Sequence, residues 1–202
     1  MLILLSCNSS INAPQKESPA VLADSLPINL LKLPENFKIE VYASGISNAR
    51  SMSLSPSGTL FVGTRGARNV YALVDSDNDF KVDKKYTLFE DGTLPNGVAF
   101  KDGDLYFAEV SRILKFSDIE TKLDHPGTPE IVYDKYPTER HHGWKYIAFG
   151  PDDKLYVPVG APCNICESED TVFNSITRLD KNGSNMEIVQ KGVRNTVGFT
   201  WH

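Results

Sequence analysis

Residues 86–116 read YTLFEDGTLPNGVAFKDGDLYFAEVSRILKF, a set of short β-rich runs separated by Asp/Gly/Pro turns. The pattern recurs along the chain. IEVYASGISNARSMSL starts at Ile39, YTLFEDGTLPNGVAF at Tyr86, EIVYDKYPTERHHGWKYIAF at Glu130 and MEIVQKGVRNTVGFT at Met186. Each is an alternating strand, a polar loop and a second strand, and the apolar residues closing them, Leu54, Phe100, Phe149 and Phe199, lie 46, 49 and 50 residues apart. A Gly/Asp turn between two β-rich runs follows the first three, as SPSGTLFVGT, KDGDLYFAEV and GPDDKLYVPVG, and then a further run, as NVYAL, RILKF and SITRL. Four short strands per repeat of about 48 residues, with no long amphipathic helix between them, predict an all-β chain, a β-propeller. Residues 30–202 hold about three such blades and the opening of a fourth, whereas propellers close with typically four to eight. The expectation is that the sequence is the N-terminal part of a longer protein, since an unclosed propeller leaves strand edges unpaired.

Composition narrows the partners. The 202 residues are 41% hydrophobic and 23% charged, with 21 Lys+Arg against 26 Asp+Glu and a formal net charge of -5. This is enough apolar content for a core and lacks the basic excess that phosphate-backbone binding needs, so nucleic acid is not expected as a partner. Residues 1–7, MLILLSC, have the residue types of a bacterial lipobox, with Cys7 as the lipidated anchor. Residues 8–29 are Ser/Pro/Asn-rich without apolar periodicity and read as a flexible tether. The two together predict an exported lipoprotein, periplasmic or anchored at the outer membrane. Cys163 and Cys166 form a CxxC with no second metal-binding pair nearby and no βαβ context, which favours a loop disulfide in an oxidising compartment.

In a propeller, the loops entering the innermost strands gather at one face around the central channel. The third repeat carries Glu139-Arg140-His141-His142-Gly143-Trp144-Lys145 in such a loop, and the fourth carries Arg194-Asn195, one repeat further on. A histidine there suits a general base that takes a hydroxyl proton as hydride leaves the same carbon. Arg194 offers a fixed cationic fork for a carboxylate or a developing oxyanion. Asp75, Asp77 and Asp79, with Asp83 further on, space hard oxygen ligands as in a calcium loop, although Phe80 stands where such loops usually have Gly. A solvated acidic hairpin turn is the competing reading.

NARSMSLSPSGTLFVGTRG, LPNGVAFKDGDLYFAEVSRI, ERHHGWKYIAFGPDDKLYVPVGAPCNIC and GVRNTVGF together resemble the sorbosone dehydrogenase branch of the soluble quinoprotein glucose dehydrogenase family, over roughly residues 30–202. The resemblance implies a six-bladed propeller, pyrroloquinoline quinone and calcium as cofactors, and oxidation of an aldose or ketoaldose to a lactone or acid. The resemblance leaves the electron acceptor open, a cytochrome c or a quinone being the candidates. The family histidine, in H-x-G-x-[RK] ahead of a GPD turn, matches His141, with Gly143 and Lys145 in register; counting back from Gly150-Pro151-Asp152 selects His142 instead. Lys145, Arg194 and Asn195 fall on cofactor-binding positions, with Arg194 polarising a quinone oxygen. The residue before the histidine is acidic in the glucose-oxidising branch, whereas Arg140 or His141 stands there in this chain. Two alternatives are a calcium-dependent propeller lactonase and a non-catalytic propeller that serves as a binding module.

Overall fold

The computed structural model describes residues 26–202, so Cys7 and most of the tether lie outside the described residues. The chain divides into two units at Gly45. The described part of the first holds a single 3₁₀ turn, Ile28–Leu30, and no strand. No described helix is long and apolar enough to cross a membrane.

The second unit, Ile46–His202, is a β-propeller segment of three four-stranded antiparallel sheets, each built from consecutive strands. The first contains β1 (Ala49–Leu54), β2 (Leu60–Thr64), β3 (Val70–Val74) and β4 (Lys84–Phe89). The second contains β5 (Gly97–Lys101), β6 (Asp104–Ala108), β7 (Ile113–Phe116) and β8 (Glu130–Tyr133). The third contains β9 (Ala148–Phe149), β10 (Leu155–Val159), β11 (Ser175–Leu179) and β12 (Glu187–Lys191). β1 packs beside β5 and β5 beside β9, so the first strand of every sheet lies innermost.

Sequence alternation explains how the sheets stack, because successive side chains of a strand point to opposite faces. In β6, Leu105 and Phe107 enter a core shared with Phe61, Val70, Ala72 and Leu88 of the first sheet. Their neighbours Tyr106 and Ala108 enter a second core with Leu155, Val157, Val159 and Leu179 of the third. The middle sheet is therefore buried on both faces, and Phe107 anchors one of them through ring contacts to Phe89 and Phe116 at 4.9 and 5.5 Å. The tight turn joining β5 to β6 is Asp102-Gly103, both with positive φ, at 52° and 89°. Those dihedrals match the twist of the flanking strands, and Gly and Asp adopt them most readily.

Two expected strands are absent. Residues 39–44 have no regular structure, and residues 195–202 lack a ladder. A strand is stabilised by a laddered neighbour, and no ladder forms at either segment among the described residues. Residues 199–201 are held by aromatic contacts instead: Phe199 meets Tyr146 at 5.0 Å, and Trp201 meets Tyr156 at 5.0 Å.

Candidate functional site

The loop before β9, the β10–β11 loop and the segment after β12 bring His141, His142, Trp144, Asn164 and Arg194 together. Gly160, just past β10, is where they close up: a Cβ there would lie 2.6 Å from the His142 carbonyl oxygen and 3.4 Å from that of Arg194. Only glycine lets both segments approach that closely. Ala161 then ties the two, its N–H donating to the Arg194 carbonyl at 2.8 Å and its own carbonyl accepting from His142 Nδ1 at 3.0 Å. A backbone carbonyl can only accept, so Nδ1 carries the proton and Nε2 keeps its lone pair. Nε2 makes no hydrogen bond to any described residue. His142 is half-buried and held at a φ of 49°.

His141 is exposed and oriented differently. Its Nε2–H donates to Asn164 Oδ1 at 3.0 Å, and Arg194 Nη2 donates to the same oxygen at 2.9 Å. Asn164 lies between Cys163 and Cys166, which form a disulfide with a Cα–Cα separation of 5.9 Å. The two imidazoles meet edge to face at 4.2 Å, and the Trp144 ring is 6.2 Å from that of His142. Two guanidiniums of the first sheet also reach this indole, Arg65 at 3.9 Å and Arg50 at 5.8 Å from its centre. Asn195 follows Arg194, half-buried, with no side-chain hydrogen bond to a described residue.

The structure does not bring Lys145 to this cluster. Between 142 and 147 the chain is extended enough to alternate, with Gly143, Lys145 and Ile147 buried and His142, Trp144 and Tyr146 partly open. Lys145 therefore points inward at 1% exposure, its ammonium 3.3 Å from the Gly143 carbonyl and 5.1 Å from the Tyr136 ring centre. Burial without a carboxylate partner pushes its pKa down from 10.5 to about 8.

The acidic loop also differs from its expected form. Carboxylates of Asp75, Asp77 and Asp83 lie within 4.8 Å of one another, and Asp79 is not among them. Positive φ at Asn78 and Phe80, 60° and 64°, folds the β3–β4 turn back so that Asp83 meets its beginning, while Asp79 accepts from the Lys81 N–H at 2.8 Å. Phe80 thus adopts the conformation for which such loops use Gly. The Ser76 hydroxyl and amide hydrogen-bond Asp83 and hold its carboxyl below the usual range. This turn joins the two outer strands of the first sheet and belongs to no inner-strand loop.

Residues that sequence reasoning passed over are Asn164, noticed only for its flanking cysteines, and Trp144, Arg50 and Arg65, quoted only as parts of motifs. Contacts between sheets fix their roles, and spacing along one repeat cannot show them.

No protein-family profile matches the chain. An uncharacterized protein of Borreliella burgdorferi is 27% identical over 185 residues, which is 85% of this chain and 46% of that protein. Among solved structures, the pyrroloquinoline-quinone-bound aldose sugar dehydrogenase of Streptomyces coelicolor superposes with a TM-score of 0.55 at 25% identity, covering 72% of this chain and 48% of that one. The quinone domain of pyranose dehydrogenase from Coprinopsis cinerea gives 0.66 at 16% identity over 79% and 42%. The calcium structure of a Trichoderma reesei family AA12 enzyme gives 0.60 at 21% over 72% and 38%. The chain spans about half the length, or less, of the proteins it matches.

Proposed function

We propose that the full-length protein oxidises a sugar, an aldose or a ketoaldose such as sorbosone, at a bound pyrroloquinoline quinone, with His142 as the base. The observation that carries this reading is the hydrogen bond from His142 Nδ1 to the Ala161 carbonyl, which leaves Nε2 as a proton acceptor, while the Ala161 N–H holds the Arg194 backbone in the same cluster. The likeness to the Streptomyces coelicolor sugar dehydrogenase supports it. The residues suit the group: the quinone is a planar tricarboxylate, and this cluster offers an indole face and guanidiniums that meet no carboxylate among the described residues. Arg194 and Asn195 would hold it, and when bound it supplies a two-electron acceptor for hydride.

His142 Nε2 takes the sugar hydroxyl proton, and the Nδ1 bond to Ala161 stabilises the imidazolium that forms. Arg194 presents the N–H groups that Asn164 leaves free to negative charge developing beside it. Asn164 holds both Arg194 and His141, so His141 acts as a positioning residue. Calcium finds no carboxylate among these contacts. The lactonase alternative needs such metal ligands in the same place, whereas a binding module gives the fixed His142 tautomer no task.

Export and a Cys7 lipid anchor belong to the same proposal, because the Cys163–Cys166 disulfide suits an oxidising compartment. Electrons then pass to a cytochrome c or a membrane quinone. The test is dye reduction by the full-length protein with aldoses and ketoaldoses, with and without added quinone cofactor. Turnover that depends on the cofactor is expected, and its absence across the sugar series would refute the reading.

A further inference from the structure

Four of the chain's seven arginines, Arg50, Arg65, Arg140 and Arg194, make no ion pair among the described residues. The other three do: Arg68 with Asp91, Arg112 with Glu109, and Arg178 with Asp152 and Glu187. Two of the four unpaired guanidiniums, Arg50 and Arg65, converge on the Trp144 indole, and that of Arg194 donates to Asn164, the acceptor it shares with His141. They come from separate places in the chain, the start of β1, the end of β2 and the segment after β12, so no local sequence effect gathers them. The contacts described around the indole include no carboxylate. Hydroxyl-rich neutral sugars are usefully held by acceptors, whereas an uncompensated set of cations in a cleft raises the local concentration of anions.

We propose that Arg65 and Arg50, carried on the indole of Trp144, form a carboxylate-binding subsite next to His142. The proposal rests on the functional reading above and names the chemistry of the ligand taken there. Arg65 lies 3.9 Å from the ring centre, close enough for the aromatic face to hold the guanidinium while its N–H edge stays open to a bidentate partner. Both arginines are exposed and can meet a ligand without displacing a structural contact. The indole Nε1–H is buried without an acceptor, a further donor on the same ring with no partner. The Trp144 and His142 rings are 6.2 Å apart, so a carboxylate on Arg65 places the rest of a sugar-sized molecule within reach of the base. That carboxylate belongs either to an acidic sugar or to the quinone, and the experiment separates the two.

Binding of D-glucuronate, D-glucose and pyrroloquinoline quinone to the full-length protein is measured by calorimetry for the wild type, Arg65→Gln, Arg65→Lys and Arg50→Gln. If the carboxylate is the substrate's, Arg65→Gln weakens glucuronate binding about tenfold or more and leaves glucose and quinone unchanged. Arg65→Lys, which keeps the charge but loses the planar fork, restores only part of the loss. If the carboxylate is the cofactor's, Arg65→Gln weakens quinone binding and spares both sugars. Unchanged affinity for all three ligands in Arg65→Gln and Arg50→Gln overturns the subsite. Glucuronate binding that needs Arg65, in a protein without quinone-dependent turnover, would sink the functional reading and leave the subsite standing.

Discussion

Lys145 and Trp144 are adjacent, yet one faces the interior and the other the candidate site. Sequence motif alone puts Lys145 beside the cofactor; strand alternation turns its side chain into the interior, against Tyr136. The fold depresses its pKa from 10.5 to about 8, so the folded state binds that proton less tightly than the unfolded chain does. The linkage follows: the group costs stability in full below pH 8, and the cost fades as pH rises from about 8 to about 10.5. Lys145→Met, which keeps the bulk and removes the charge, is expected to stabilise the protein at pH 7 by about 1–3 kcal/mol, since each pKa unit is worth about 1.4 kcal/mol and the Gly143 hydrogen bond is lost. Thermal melts of both proteins from pH 7 to 10.5 check this. The advantage of the variant should shrink across that window, and a constant or inverted difference would show that the buried ammonium is not the cause.

At the scale of the element, the strands were readable because a sheet buried on both faces needs apolar residues at nearly every position. LYFA in β6 and ILKF in β7 have them. The repeat spacing and the Gly/Asp turns between strands were legible for the same reason, being local. Residues 39–44 and 195–202 carry strand-like sequences but no ladder, because pairing depends on a neighbour and not on propensity. The site was partly legible: the loops bearing His141, His142 and Arg194 stood out, but the partners that distinguish the two histidines, Ala161 and Asn164, come from the β10–β11 loop some twenty residues further on. Sheet-to-sheet contact outside the cores includes an ion network, in which Asp153 meets Lys101 of β5 and Lys181 beyond β11, each at 2.7 Å. These lysines hold the Asp153 carboxyl down to about 2, so its contribution is present above about pH 3.8 and is lost as pH falls toward 2. Asp153→Asn should lower the melting temperature by a few degrees at most in dilute buffer, and by nothing measurable in about 1 M salt, where exposed pairs are screened. A salt-independent loss would mean that Asp153 acts through turn geometry instead.

Across the second unit, the candidate site draws its residues from the first sheet, the third and the segment that follows it. The first contributes Arg50 and Arg65, the entry to the third contributes His141, His142 and Trp144, and the segment after it contributes Arg194. The Asp75–Asp77–Asp83 group sits on an outer turn and takes no part in this convergence. In the proposed mechanism His142 is the base and His141 positions its surroundings through Asn164. The direct measurement is the rate of quinone-dependent sugar oxidation by full-length His142→Ala and His141→Ala across pH. His142→Ala should lose about 100-fold or more in kcat, the usual worth of a general base, while His141→Ala stays within about tenfold of wild type and keeps its pH profile. A His142→Ala protein that turns over at the wild-type rate, or a loss confined to His141→Ala, would contradict the account.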